Sequence, residues 1–405
     1  MRTVDVPRLR CLPAMNRILT RHYLGARYRM LLHPLDRPPV AWVTSGAPVE
    51  LLRAMGVVCL YPENYAAVVA ARKQGATFCQ VAEDGGYSRD LCSYARIHLG
   101  SVLEPRRAPL GGLPRPDLLL ACNNICGTVV KWYQELSRLL GVPLFLLDAP
   151  FLYDDEEAAA IYCVRVQLDE MVGWLERVTR RRLDPGRLHH TVALAARTTA
   201  LWEEIRQLGR HRPSPLNVPD LFVTMGPVVT VRGTPQAAAF YRTLLGELQG
   251  RVRQGVAAVP GEKLRLLWDN IAIWYRLYRF FRPFVERGAC FVVDTYTAGW
   301  SMRPEGDDPL EALARAYTTV FLNQGVGARA RQIAQMVETY RVDGVVMHHN
   351  RSCKPYSGIQ PVLARMLTDR GIPVLLVEAD MADPRVYGEE TTRNRVEAFL
   401  ERLSG

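Results

Sequence analysis

Two stretches decide the fold: PDLLLACNNICGTVVKWYQELSRLLGVPLFLLDAP (116–150) and VDGVVMHHNRSCKPYSGIQPVLARMLTDRGIPVLLVEAD (342–380). Each reads as an apolar run, a short polar loop carrying a cysteine, an amphipathic segment, Gly-Val/Ile-Pro, a second apolar run and an acid. Apolar throughout, the runs fit strands buried on both faces, and the segment between them has helical period; together they make a βαβ unit. The unit occurs twice, once in each half of the chain.

Working outward, further strand-like runs are PVAWVTS (39–45), GVVCLY (56–61), RLLWD (265–269) and CFVVDTY (290–296). Helical patterns lie between them, with long ones over about 155–180 and 188–209 and the Pro-rich RHRPSPLNVP at 210–219. This alternation predicts an α/β protein of two lobes with parallel sheets flanked by helices. The expected divisions are a basic helical segment (1–35), a first α/β lobe (36–180), a helical and Pro-rich linker (181–220) and a second α/β lobe (221–405).

The chain has 405 residues, 48% of them hydrophobic and 23% charged, which excludes a disordered or collagen-like polymer. No apolar run reaches the ~18–20 residues of a membrane span, and the N-terminus has no apolar signal core, so a cytoplasmic location without membrane contact is expected. The net charge of +10 rests on arginine, with only four lysines: 73, 131, 263 and 354. The arginines are dispersed, and neither a zinc-finger spacing nor a basic-aromatic stripe accompanies them. Nucleic acid is therefore not the expected partner; an anionic small molecule such as a phosphate-bearing thioester fits the charge equally well.

Nine cysteines in such a chain suggest metal ligation or chemistry at a few positions rather than a disulfide framework. Cys59, Cys79 and Cys290 read as small core residues. Cys126 and Cys353 fall in the loops of the two βαβ units, beyond strand ends, where ligands of parallel sheets collect. Each opens a helix, whose N-terminus is expected to lower the thiol pKa. Cys92, in DGGYSRDLCSYARIHLG (84–100), is a third candidate from a polar loop. Three thiolates with a free fourth position suit an iron–sulfur cluster; zinc and inert structural thiols are the alternatives.

At these residues the sequence resembles the family of 2-hydroxyacyl-CoA dehydratases and ATP-dependent benzoyl-CoA reductases. The carriers are Cys126-Gly-Thr-Val-Val-Lys131-Trp132-Tyr133 before GVPLFLLDAP, Asn350-Arg351-Ser352-Cys353-Lys354-Pro355-Tyr356-Ser357, and the tail GIPVLLVEADMADPRVYGEETTRNRVEAFLERL. TSGAPVELLRAMG, PENY, LCSYARIHLG, RPSPL and RLLWDNIAIWY support it in the family's order. The resemblance implies two flavodoxin-like lobes with a 4Fe-4S cluster in the cleft between them. It implies an αβ heterodimer with a paralogous subunit, an ATP-dependent iron–sulfur activator and an acyl-CoA substrate. The reaction implied is radical elimination of water to an enoyl-CoA; reduction of an aromatic thioester and a relay subunit are the alternatives.

By the same resemblance Cys92, Cys126 and Cys353 match the cluster ligands, with Cys122 competing with Cys126. Ser45 and Glu63 fall where the family has polar residues near the thioester; Ser45 can equally cap the helix starting near Pro48, and Glu63 the PENY helix. His348 and His349 precede Cys353, His349 being the candidate proton donor. Lys131 and Lys354 adjoin the cluster motifs and are candidates for cluster charge compensation or CoA phosphates. Trp132, Tyr356 and Ser357 are expected to wall the cluster from water.

Overall fold

The computed structural model describes residues 6–32, 37–153 and 157–405. The expected boundary at 35/36 lies outside the described residues. The chain forms two four-stranded parallel sheets. The first contains β1 (Val40–Val43), β2 (Val58–Leu60), β3 (Leu118–Cys122) and β4 (Leu144–Leu147), in the spatial order β2-β1-β3-β4. The second contains β5 (Leu264–Asp269), β6 (Ala289–Asp294), β7 (Gly344–Asn350) and β8 (Val374–Ala379), in the order β6-β5-β7-β8. The same order in both lobes makes the sequence repeat a structural one. Every residue of β1, β3 and β6 is buried, as apolar strands covered by helices on both faces must be.

The βαβ crossovers form where the sequence puts them. The helix Gly127–Leu140 buries Val129, Trp132, Tyr133 and Leu136 on one face and stops at Gly141, whose φ of 63° is the left-handed conformation glycine adopts without strain. In the second lobe the single amphipathic helix expected after Cys353 is instead two pieces, Lys354–Ser357 and Gln360–Thr368. Pro361 has no N–H to continue the first piece, so it starts the second.

Between the lobes, the helix Pro185–Gln207 buries Leu188, Val192, Ala195, Trp202 and Ile205. It docks onto the second lobe through Trp202 Nε1, which donates to the Thr297 carbonyl at 3.0 Å. An N-terminal helix, Leu12–Leu32, lies against the helix Gly226–Thr230. Among the described residues no helix is long and apolar enough to cross a membrane.

In each sheet the strand order reverses beside the first strand: β1 is flanked by β2 and β3, and β5 by β6 and β7. The loops after β1 and β3, and after β5 and β7, therefore open at a topological switch point, where ligands of parallel sheets bind. These four loops carry Ser45, Cys126, Ile271 and Cys353.

Candidate active site

Cys92, Cys126 and Cys353 occupy equivalent local positions. Each is the residue just before a helix: Ser93–Leu103, Gly127–Leu140 and Lys354–Ser357. All three line one cavity of about 120 Å³. Hydrogen bonds stitch their loops together. The Ser93 N–H, next to Cys92, donates to Ser352 Oγ, next to Cys353, at 3.0 Å. In the Cys126 loop, Asn124 Nδ2 donates to the Gly46 carbonyl at 3.1 Å and to the Tyr317 carbonyl of the second lobe at 2.7 Å. A side chain at Gly46 would meet Asn124 Oδ1 at 2.5 Å, so this approach needs glycine there.

Burial pushes the Cys92 thiol up to about 12, and the neighbouring Cys126 adds to the rise. Cys126 is raised by burial, and Cys353 is raised by burial and then by Cys126 and Cys92. The expected lowering by helix N-termini is thus outweighed by desolvation. Its trace remains at Cys126, whose sulfur accepts from the Thr128 N–H at 3.2 Å. The mutual influence of the three thiols follows from their sharing one enclosed space. Cys122 is fully buried at the end of β3 and does not line that cavity; its own N–H donates to Thr44 Oγ1. Among the described residues no three His, Cys, Asp or Glu side chains converge as a single metal ion would need. The thiols stand around a cavity rather than at a point.

Ser45 and Glu63 also come together. Glu63 Oε2 accepts from the Ser45 N–H at 2.6 Å and from Ser45 Oγ at 3.0 Å. Ser45 does not cap the following helix, which Pro48 precedes without a side-chain cap. Burial pushes the Glu63 carboxyl up to about 7, against the lowering effect of the two Ser45 hydrogen bonds. Ser45, Glu63, Tyr94, Tyr296 and Trp300 line both the thiol cavity and a second cavity of about 910 Å³. They form the wall common to the two. Tyr94 is held there by Trp274 Nε1, which donates to its hydroxyl.

The larger cavity runs outward from this wall. Leu19, Phe222, Val223, Met225 and Val229 line it, and Lys73, Arg276 and Arg279 add cations. Lys73 and Arg279 are exposed, so positive charge sits at the solvent side and the buried end is apolar. Sequence patterns alone did not single out Tyr94, Tyr296, Trp300 or this cationic set. Of these, Tyr296 carried a usable signal: it lies two residues beyond the end of β6, and strand ends of parallel sheets are where ligands meet the chain.

The remaining candidates lie elsewhere. Lys131 and Lys354 are exposed; their ammonium groups donate to Gln134 Oε1 and to the Arg351 carbonyl, and neither lines the two cavities. On the solvent side of their helices, they follow the usual fate of lysine. His349 is half-buried opposite Glu378 of β8 and lines neither cavity. His348 is buried and donates from Nδ1 to the Ile271 carbonyl at 2.6 Å; burial lowers it to about 4, so it is neutral. Trp132 and Tyr356 do wall the thiol cavity, whereas Ser357 Oγ turns back to the Asn350 carbonyl.

Comparison with known proteins agrees with this architecture. Residues 44–403 match the family described as 2-hydroxyglutaryl-CoA dehydratase, D-component. The chain is 33% identical to the (R)-2-hydroxyisocaproyl-CoA dehydratase alpha subunit of Clostridioides difficile, over 90% of each chain. It is 29% identical to the alpha subunit of the (R)-2-hydroxyglutaryl-CoA dehydratase of Acidaminococcus fermentans, over 93% of this chain and 94% of that one. With a benzoyl-CoA reductase chain of Thauera aromatica the identity is 27%, over 87% and 85%. A match spanning both lobes and all three thiol loops places the chain in the 2-hydroxyglutaryl-CoA dehydratase D-component family.

Proposed function

We propose that this chain is the thioester-binding subunit of a 2-hydroxyacyl-CoA dehydratase and that Cys92, Cys126 and Cys353 hold a 4Fe-4S cluster. One observation carries the reading: the thiol cavity and a cavity large enough for an extended ligand share a wall built around Ser45 and Glu63. A volume of about 910 Å³ lies at the upper end of ordinary ligand sites.

The donor set fits the group. Three soft thiols around one cavity suit a polynuclear core in which each thiolate takes its own iron. The raised thiol pKa values are the ordinary state of buried thiols without a cation; ligation removes their protons. When bound, the cluster supplies a low-potential electron and an iron with an open position.

The chain's own residues do the rest. The cations on the solvent side receive the phosphates of a CoA thioester, and the apolar walls direct its acyl end toward Ser45. A carboxyl poised at about 7 can hold a proton at Oε1, because Oε2 accepts both Ser45 hydrogen bonds, and give it to a departing hydroxyl near neutral pH. Ser45 positions that carboxyl through its N–H and its hydroxyl. Trp132, Tyr356 and Phe321 keep bulk water from the thiols. The elimination removes the 2-hydroxyl and a proton from C3 as water. A second, paralogous subunit and an ATP-hydrolysing activator complete the proposed system, as the α and β naming of the relatives suggests for the former.

The test is anaerobic purification with the partner subunit. About four iron and four sulfide per chain are expected, with water eliminated from a 2-hydroxyacyl-CoA once the activator and ATP are added. A colourless chain without iron after anaerobic reconstitution would overturn the cluster; an iron-bearing complex inert toward every 2-hydroxyacyl-CoA would overturn the dehydratase reading.

A further inference from the structure

The acyl end of the site carries a selectivity that family membership does not fix, since relatives act on thioesters with and without a second carboxylate. Of the side chains lining the thiol cavity, Glu63 alone is charged, and it is an acid. Around it stand Ile125, Val129, Ile271, Met302, Val320 and Leu322. On the other side of the shared wall Leu19, Phe222, Val223, Met225 and Val229 make an apolar face, while Asn16, Asn64 and Tyr275 add neutral polar groups but no charge. The cations of the larger cavity are Lys73, Arg276 and Arg279, and two of these are already engaged. Arg276 and Arg279 both donate to the Glu389 carboxylate, and Arg276 lies over the Tyr387 ring at 4.4 Å.

We propose that this site takes 2-hydroxyacyl-CoAs whose acyl side chain is uncharged and apolar, branched aliphatic or aromatic, and rejects those ending in a second carboxylate. The inference rests on the proposed thioester binding and adds which acyl class the pocket accepts. Its reasoning is desolvation. An ω-carboxylate carried to the shared wall would leave water, meet no arginine or lysine there and lie near Glu63. Buried charge without a partner is strongly disfavoured. An isobutyl or phenyl group at the same place exchanges water for Phe222, Met225 and Val229, the favourable direction. Lys73, which stands outside the Glu389 pairing, faces the phosphates at the mouth, whose charge is common to every CoA thioester and so gives no discrimination between acyl groups.

The experiment compares saturated analogues, which bind without reacting. Titration calorimetry on the complex of this chain with its partner subunit uses isocaproyl-CoA, 3-phenylpropionyl-CoA, glutaryl-CoA and free CoA at about pH 8, where Glu63 is largely ionised. The first two are expected to bind at least about 100-fold more tightly than glutaryl-CoA, about 2.8 kcal/mol at about 1.4 kcal/mol per decade. Val223→Arg places a cation on the half-buried part of the apolar wall and is expected to narrow that ratio by at least about tenfold. Equal binding of glutaryl-CoA and isocaproyl-CoA by the unaltered chain would overturn this inference and leave thioester binding standing. An unchanged ratio in V223R, with the variant folded by circular dichroism, would likewise overturn the assignment of that wall to the acyl group. Binding of no acyl-CoA at all would overturn the proposed function itself.

Discussion

Replacing Glu63 by glutamine tests the electrostatics of the site in the chain alone. The Glu63 carboxyl is raised from 4.5 to about 7, first by burial, with the two Ser45 hydrogen bonds opposing. At about 1.36 kcal/mol per unit, the full shift corresponds to about 3.4 kcal/mol of disfavour for the charged form in the folded state. The carboxyl lies deep below the molecular surface but faces the cavity and is only half-buried by exposure, so partial hydration lowers this to about 2–3 kcal/mol. The sign follows from proton linkage. Below about pH 4.5 both folded and unfolded chains hold the proton and the group contributes nothing. Between about 4.5 and 7 the unfolded chain releases it while the folded chain retains it, so stability falls as pH rises. Above about 7 the loss is complete. Glutamine keeps a carbonyl acceptor for the Ser45 N–H and has no charge to bury. E63Q is therefore expected to match the parent chain near about pH 4.5 and to exceed it by about 2–3 kcal/mol at about pH 8.5. Urea denaturation followed by tryptophan fluorescence at several pH values reads this directly. A stability difference that is the same at both ends of the range would refute the reasoning, because a pH-independent effect is packing and not ionisation.

Two other substitutions probe the ligand set and the joint between the lobes. In reconstituted protein, Cys126→Ser is expected to lose most of its iron, whereas Cys122→Ser, in the core at the end of β3, keeps it; iron and sulfide analysis decides, and the reverse pattern would exchange the two assignments. Arg232 is buried, donates to Glu50 at 3.1 Å and to the Tyr317 hydroxyl at 2.8 Å, and so ties the two lobes. Arg232→Met leaves the buried Glu50 carboxylate its Tyr317 hydroxyl donor but no counter-charge and is expected to cost about 3–5 kcal/mol in urea denaturation, with E50Q in the same chain recovering part of it; a loss below about 1 kcal/mol would mean that water already reaches Glu50.

Most of the architecture was legible because it rests on local signals. Apolar strands and Gly141 at the end of its helix mark the first crossover, and the same order of motifs marks the second. Cys126 and Cys353 were legible for a related reason, since a cysteine at a strand-to-helix junction is placed by the crossover itself, whereas Cys92 was read from a polar loop before a helix. The break at Pro361 was equally present in the sequence, but the helical period on either side of it masked the stop. What stayed hidden depended on the third dimension. Tyr94, Tyr296 and Trp300 are far apart along the chain, and only the packing of one lobe on the other makes them a common wall. The thiol pKa values went opposite to expectation because the N-terminal amides are a local feature, whereas burial is set by the whole chain.

The duplication explains how two thiols come to stand at corresponding places. The shared pattern is Asn-x-x-Cys: Asn123 to Cys126 and Asn350 to Cys353. In both loops the cysteine N–H donates to the asparagine carbonyl, at 3.0 Å each. Both asparagine Oδ1 atoms accept from a backbone N–H just past the next strand, that of Ala149 at 2.7 Å and that of Met381 at 3.3 Å. The acid before each of those residues accepts from the loop as well, Asp148 from Asn123 Nδ2 and Asp380 from Ser352 Oγ. Each cysteine loop is thus clamped to the strand beyond it by the same polar set, which fixes the sulfur relative to its own sheet. The loop of Cys92 is instead fastened across the cleft, through the Ser93 N–H to Ser352 and through Arg96, which donates to Asp383 at 3.0 Å. Two thiol positions set by the repeat and a third held by the opposite lobe make the arrangement depend on how the lobes meet. Weakening the Arg96–Asp383 contact should therefore loosen Cys92 before it disturbs Cys126, because Cys126 keeps the Asn123 clamp within its own lobe as well as the Asn124 contact to Tyr317. Asp383→Asn, compared with the parent chain for the rate at which Cys92 and Cys126 react with a maleimide, reads this order; equal acceleration at both thiols would refute it.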